Sequence, residues 1–189
     1  MLKAQHAVTD KFNGRGEVVY NTCFAAGTLV HTKEGLKPIE EIKIGDWVLS
    51  YPDDQLRPDH RREKHEYTYR QVTQTFVTED QPLSRMIIAH LASGAKETIF
   101  VTENHPIYCK GHGWVPVSEI DNTPGVVENF YFGNLIVFRL YHEVTRGRVY
   151  NFEVDEFHTY YVGEQGMWVH NCNLPTGLKF APVGAQHPK

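Results

Sequence analysis

Apolar positions in this chain alternate or fall in short blocks rather than recurring every three to four residues, which is the pattern of strands. Tyr67 to Val77 mixes aromatic, Val and Thr residues and predicts one strand. Arg85 to Leu91 is a short apolar run, Ser93-Gly94 a turn, and Thr98 to Val101 a further strand. Asn129 to Leu140 reads as two short strands around Gly133-Asn134. Arg148 to Val154 and Thr159 to Val162 are strand-like, and Gln165-Gly166 turns the chain into Met167-Trp168-Val169. Short runs bounded by Gly, Pro and Asn predict an all-β fold. Only Pro38 to Ile42 and Pro116 to Ile120 have the form of short helical turns, each opened by proline, whose missing N–H is an orphan at a first helical position anyway. Pro52 to Glu66 is the most polar stretch and predicts an exposed, solvated loop; the tail after Cys172 predicts an extended or disordered segment.

The two helical turns belong to an internal repeat. Residues 29–42 read LVHTKEGLKPIEEI and residues 107–120 read IYCKGHGWVPVSEI. At an offset of 78, Gly35 meets Gly113, Pro38 meets Pro116, Glu41 meets Glu119 and Ile42 meets Ile120. This alignment sets Cys109 against His31. The period is too long for a solenoid. It predicts two similar β lobes related by a pseudo-twofold axis.

Composition narrows the function classes. With 189 residues, the chain has the length of one domain. Its 19 Lys+Arg and 23 Asp+Glu give a net charge of -4 with mixed signs, which argues against a nucleic-acid partner. No apolar run reaches the roughly 18 residues of a membrane-spanning helix, and residues 1–22 lack the apolar centre of a secretory leader. Three cysteines cannot all pair with one another, so the positions of Cys23, Cys109 and Cys172 become the question. Cys109-Lys110-Gly111-His112 has C-x-x-H spacing, but no second pair follows at zinc-finger spacing, so burial is the expected fate of Cys109.

Cys23 opens the segment Cys-Phe-Ala-Ala-Gly-Thr-Leu-Val, and Cys172 closes Trp-Val-His-Asn-Cys. Between them lies Val-Thr-Glu-Asn-His-Pro, residues 101–106, and then Val149-Tyr150-Asn151-Phe152-Glu153-Val154 with the later His158. Four such blocks in this order resemble the Hint superfamily, that is, inteins and bacterial intein-like domains. His158 to Val162 (HTYYV) is similar to the branch found in large secreted bacterial toxins. The resemblance implies a β horseshoe with internal pseudo-twofold symmetry. It divides the chain into an N-terminal flank at 1–22, a self-processing domain at 23–171 and a C-terminal flank at 172–189. The substrate is then the chain's own flanking sequence, and no cofactor, membrane or second subunit is called for.

The chemistry of these residue types fits the implied reaction. A thiol is the side chain best suited to attack an amide near neutral pH, because a few per cent is thiolate. Cys23 can attack its own preceding carbonyl, on Thr22, through a five-membered ring and exchange the amide for a thioester. The resemblance makes His105 the group that protonates the departing amine and Thr102 the one that polarises or orients the same bond. Asn171 can attack its own carbonyl, form a succinimide and break the bond to Cys172. His170 and His158 are the candidates for assisting it. A thiol at Cys172 can first accept the acyl group from Cys23, which gives splicing; without that transfer the same parts give cleavage only.

Two features complicate this reading. Where many inteins have Asp after Val-Tyr, this chain has Asn151, and a neutral amide cannot serve as an ionised base or electrostatic partner. Thr22 is β-branched. Asn151 predicts an inefficient first acyl shift or transfer step, and Thr22 a slower attack on its carbonyl; together they predict a slow splicer. Cys23, His105, His170 and Cys172, if they converge, also offer soft ligands with which Zn²⁺ could block processing. The competing readings are a Cys/His protease acting in trans, for which no orienting group is readable, and an inert β module using the basic loop at 57–64. Cholesterol transfer, as in the hedgehog branch, is disfavoured because His170-Asn171-Cys172 supplies Asn cyclisation instead.

Overall fold

Two long strands, β5 (Thr68–His90) and β10 (Asn134–Val154), pair with each other along most of their length. The computed structural model describes residues 22–52, 67–122, 126–128 and 134–171. Its described residues form an antiparallel sheet of twelve strands, with two 3₁₀ turns and no α-helix. The predicted loop at 52–66 beyond Pro52, the first of the two strands expected around Gly133, Cys172 and the tail lie outside the described residues.

The sequence predicts separate strands at 67–77 and 85–91, and again at 129–140 and 148–154. The structure joins each pair into one strand by bending rather than interrupting it. Register shifts occur between Val137 and Arg139, Tyr141 and Thr145, Gly147 and Val149, and Glu153 and Val154. Asp80 and Glu143 take left-handed backbone conformations at these bends, with φ of 46° and 45°. A bulge adds local twist without ending the ladder, so polar residues such as Glu79-Asp80-Gln81 remain in the strand although they read as a break.

The repeat is realised as two equivalent lobes. In one, β2 (Leu29–Thr32) and β3 (Gly35–Pro38) form a hairpin that runs into the first 3₁₀ turn, Ile39–Glu41. In the other, β7 (Pro106–Cys109) and β8 (Gly113–Pro116) do the same before the second turn, Val117–Asn122. Gly35 and Gly113, the glycines aligned in sequence, both have positive φ (108° and 78°), which disfavours a side chain at either place. β4 (Trp47–Ser50) then pairs with β2 at Thr32↔Val48, as β9 (Val126–Glu128) pairs with β7 at Cys109↔Val127. β4 continues onto β5 and β9 onto β10. Within the hairpins the equivalence corrects the sequence alignment by one residue. Leu29 faces Pro38 and Pro106 faces Pro116, so the offset in the first strand is 77, and Cys109 is the counterpart of Thr32, not of His31. The second hairpin's turn holds one residue more.

The last hairpin, β11 (Thr159–Val162) and β12 (Met167–His170), joins the lobes: β11 pairs with β2 at Val162↔Val30, and β12 with β7 at Val169↔Ile107. The two short strands that begin the lobes, β1 (Phe24–Ala25) and β6 (Lys96–Val101), meet each other at Phe24↔Val101 and lie against β10 and β5 respectively. The strands bury a continuous apolar core that includes Phe24, Val30, Met86, Ile88, Ile107, Leu135, Phe152, Tyr160 and Val169. A second, aromatic cluster of Tyr51, Tyr108, Trp114, Tyr161 and Trp168 packs beside the end of β12. Tyr108 meets Trp114 edge-on and Trp114 meets Trp168 tilted, as ring quadrupoles favour.

Candidate active site

The Thr22–Cys23 peptide lies at the seam between the lobes, where β1 leaves β6 and joins β10. Both residues are buried. The Cys23 N–H donates to Thr102 Oγ1 at 2.9 Å, and the Thr102 N–H donates to the Cys23 carbonyl at 3.0 Å. Thr102 follows β6, so the Phe24↔Val101 pairing is what brings it to Cys23 across 79 residues of sequence. On the other side, Asn151 of β10 donates from Nδ2 to the Thr22 carbonyl oxygen. Asn151 follows Tyr150, which pairs with Phe24 in the ladder. The carbonyl and the N–H of one peptide bond are therefore each held by a buried side chain.

His105 sits in the turn after Thr102, with His105 N–H donating to the Thr102 carbonyl at 3.2 Å. Its ring packs on Phe24, the residue after Cys23, at 4.2 Å between centroids. The imidazole is fully buried; the polar group that faces it is the His170 backbone, and no ring nitrogen reaches full hydrogen-bond geometry with a described residue. Burial pushes its pKa from 6.5 down to about 3; the His170 backbone acts in the opposite direction, and the His170 ring adds to the depression. His105 is thus neutral at neutral pH.

The other end of the domain reaches the same place because β12 pairs with β7. The His170 Nδ1 N–H donates to the Asn171 carbonyl at 2.9 Å. Since a carbonyl only accepts, Nδ1 carries a proton and draws charge off that carbonyl. The His170 ring stands edge-on to Trp114 at 5.0 Å, which fixes its plane. The Asn171 N–H donates to the His158 carbonyl at 2.8 Å. His158 ends the turn between β10 and β11 with φ of 57°, and its ring is 6.4 Å from that of His170. Its Nδ1 is bound to Glu153 Oε1 at 2.6 Å. His158 thus contacts Asn171 through its backbone carbonyl, while the Nδ1 of its imidazole is tied to a carboxylate.

Of the residues expected from sequence, the structure assembles Thr22, Cys23, Thr102, His105, Asn151, His158, His170 and Asn171; Cys172 lies outside the described residues. Among the described residues no three His, Cys, Asp or Glu are arranged to hold a metal; the zinc set expected from sequence includes Cys172, which lies outside them. Cys109 is buried, and its thiol is pushed up to about 12, which leaves it without thiolate near neutral pH. Residues not anticipated also support the site. Tyr160 donates its hydroxyl to Asn151 Oδ1 at 2.7 Å. Glu103, between Thr102 and His105, accepts from Ser84 and pairs with His142 at 2.8 Å, and the second nitrogen of His142 binds Asp121. Asp121 and Glu103 raise the pKa of His142. Tyr160 lies in the quoted HTYYV segment, so its position was legible, though its partner was not.

A pseudo-symmetric antiparallel sheet in which His105, beside the first junction, faces His170 at the domain's other end is the architecture of the Hint class, the fold of inteins and bacterial intein-like domains. The chain belongs to the pretoxin Hint domain family, whose model matches residues 29–172. It is similar to a bacterial intein-like domain from Clostridium thermocellum, with 32% identity and a TM-score of 0.63, covering 79% of this chain and 98% of that one. A DnaB intein from Synechocystis shares the fold at 13% identity and a TM-score of 0.60, covering 79% of this chain and 98% of the intein. The gp41-1 intein shares it at 20% identity and a TM-score of 0.57, with the same coverage. No curated protein matches the chain. Family and fold support protein splicing or autoprocessing, in cis on the flanking sequences, as the general activity.

Proposed function

We propose that this chain excises residues 23–171 and joins residues 1–22 to residues 172–189. The observation that carries the reading is the grip on the Thr22–Cys23 peptide, whose N–H is held by Thr102 and whose carbonyl is held by Asn151. Cys23 Sγ adds to the Thr22 carbonyl carbon, the C–N bond breaks, and the thiol proton ends on the Cys23 nitrogen. His105, packed on Phe24 next to Cys23, is the candidate for delivering that proton to nitrogen: its pKa near 3 makes the resting ring a weak base and its protonated form a strong donor. Cys172 Sγ then displaces Cys23 from the thioester. Asn171 Nδ2 attacks its own carbonyl carbon, which His170 polarises, and the Asn171–Cys172 bond breaks. The freed Cys172 amine recaptures the acyl group from its own sulfur, which leaves a peptide bond between Thr22 and Cys172.

A second reading, cleavage after Asn171 alone, is favoured by one observation: the His170 Nδ1 N–H already sits on the Asn171 carbonyl, an arrangement that requires neither Cys23 nor an acyl transfer. Intact-mass analysis of the full chain under reducing conditions separates the two. Splicing releases 23–171 and yields 1–22 joined to 172–189; cleavage alone yields 1–171 and 172–189. Cys23→Ala should abolish the joined product and leave Asn171-dependent release. A chain whose mass never changes would refute both.

A further inference from the structure

The amide of Asn151 has only one orientation open to it. The Phe152 N–H donates to one of its side-chain heavy atoms at 2.7 Å, and a backbone N–H can only donate, so that atom is the oxygen, Oδ1. The Tyr160 hydroxyl donates to the same oxygen at 2.7 Å. Nδ2 is left facing the Thr22 carbonyl, which can only accept. Asn151, Tyr160 and Thr22 are all buried, and the Tyr160 ring is fixed against Phe152 at 4.2 Å and Phe24 at 6.3 Å between centroids.

We infer that Asn151 is a catalytic residue of the first acyl shift, an oxyanion donor to the Thr22 carbonyl, with Tyr160 as its positioning residue; this rests on the self-processing reading above. As Cys23 Sγ adds to the Thr22 carbon, the C=O electron pair moves onto oxygen and the Nδ2 hydrogen bond strengthens with the charge. The donor is aimed before reaction in a buried site, where such a bond acts most strongly. Asn at this position, which looks from sequence like a lost carboxylate, is therefore a gain of a different kind: an ionised carboxylate has no proton to donate and would repel the developing oxyanion. Tyr160 and the Phe152 N–H keep the amide from rotating its oxygen toward Thr22.

The test uses the full chain with Asn171→Ala to block cyclisation. It follows cleavage after Thr22 by a small thiol, mercaptoethanesulfonate, over a range of pH. Asn151→Ala should slow this cleavage by about 10²- to 10³-fold, as loss of one oxyanion donor does. Tyr160→Phe should slow it by about fivefold, the scale of one lost neutral hydrogen bond. Asn151→Asp should be slow at neutral pH and fall further behind as pH rises and the carboxyl ionises. Isotope-edited infrared of a ¹³C-labelled Thr22 carbonyl, in chains carrying Cys23→Ala, reads the contact without reaction. Its band should move to higher frequency in Asn151→Ala and, by less, in Tyr160→Phe. Retention of the native amide NMR spectrum guards against misfolding. Asn151→Ala at the parent rate, an Asn151→Asp chain faster than its parent near neutral pH, or an unmoved carbonyl band would overturn the inference alone. If the parent gives no thiol-dependent cleavage after Thr22, the acyl-shift reading fails and the inference falls with it, whatever the infrared band does.

Discussion

Replacing His105 by Phe should remove about 2 kcal/mol of acid sensitivity from the fold without destabilising it at pH 7. The side chain is completely buried and its pKa is held at about 3 against an ordinary 6.5. Between these values the unfolded chain binds a proton that the folded chain refuses. Stability is therefore fully present above the ordinary value and is lost as pH falls toward the folded value. Integrating this single titration gives about 2 kcal/mol lost between pH 7 and pH 5. Phe has no such proton to gain. It also removes two ring nitrogens that do not reach full hydrogen-bond geometry with a described residue, while keeping a planar ring against Phe24. At pH 7 the variant should match its parent or exceed it by about 1 kcal/mol. The assay is urea unfolding at both pH values for parent and variant, each carrying Cys23→Ala and Asn171→Ala so that the chain stays whole. The double difference cancels the other histidines. Equal pH dependence in the two proteins would refute the reasoning, as would an NMR titration of His105 with a midpoint near 6.

Thr102→Ala should slow thiol-induced cleavage after Thr22 by about tenfold, and Thr102→Ser should restore most of it, because what is lost is the hydroxyl that accepts from Cys23 N–H; equal rates for Ala and Ser would contradict this. His142 has its pKa raised by Asp121 and Glu103, so its contribution to stability is complete below the ordinary value of 6.5 and disappears as pH rises through the folded value. His142→Ala should accordingly cost most in mild acid, by no more than about 1 kcal/mol because the pair is solvent-screened, and nothing at pH 9; a cost independent of pH, measured by urea unfolding, would remove the titration argument. Iodoacetamide should leave Cys109 unmodified in the native chain, as peptide mapping can show, and labelling of Cys109 before unfolding would contradict its burial.

The fold was legible to the extent that it repeats. Gly35 and Gly113 keep the same backbone demand, and Pro38 and Pro116 open the same 3₁₀ turn, so the two lobes announce each other in the sequence. The one-residue difference between the hairpin turns was not readable, because Lys33-Glu34 and Lys110-Gly111-His112 align as well with a gap as without one. The continuity of β5 and β10 was hidden for another reason. Their bulges are stabilised by partners on the opposite long strand, such as the ion pair of Arg146 with Asp80, which no local pattern encodes. At the site, the identities of Cys23, Thr102, His105, His170 and Asn171 were readable as blocks, since their chemistry is rare at those spacings. The orientations of Asn151 and His158 were not. Whether an amide points its nitrogen or its oxygen at Thr22 is decided by Phe152 and Tyr160, and whether an imidazole reaches Asn171 is decided by Glu153.

The β11–β12 hairpin that bridges β2 and β7 has a consequence for timing. Ribosomes deliver residues 159–171 after the strands they join, yet these supply the Tyr160 hydroxyl, the His170 ring and the hairpin that ties the two lobes together. A nascent chain carrying Cys23, Thr102 and His105 holds an unfinished site, however long it waits on the ribosome. Seating of this hairpin is what brings these groups to the Thr22–Cys23 peptide, so on the proposed acyl-shift reading the order of synthesis itself delays reaction of that bond.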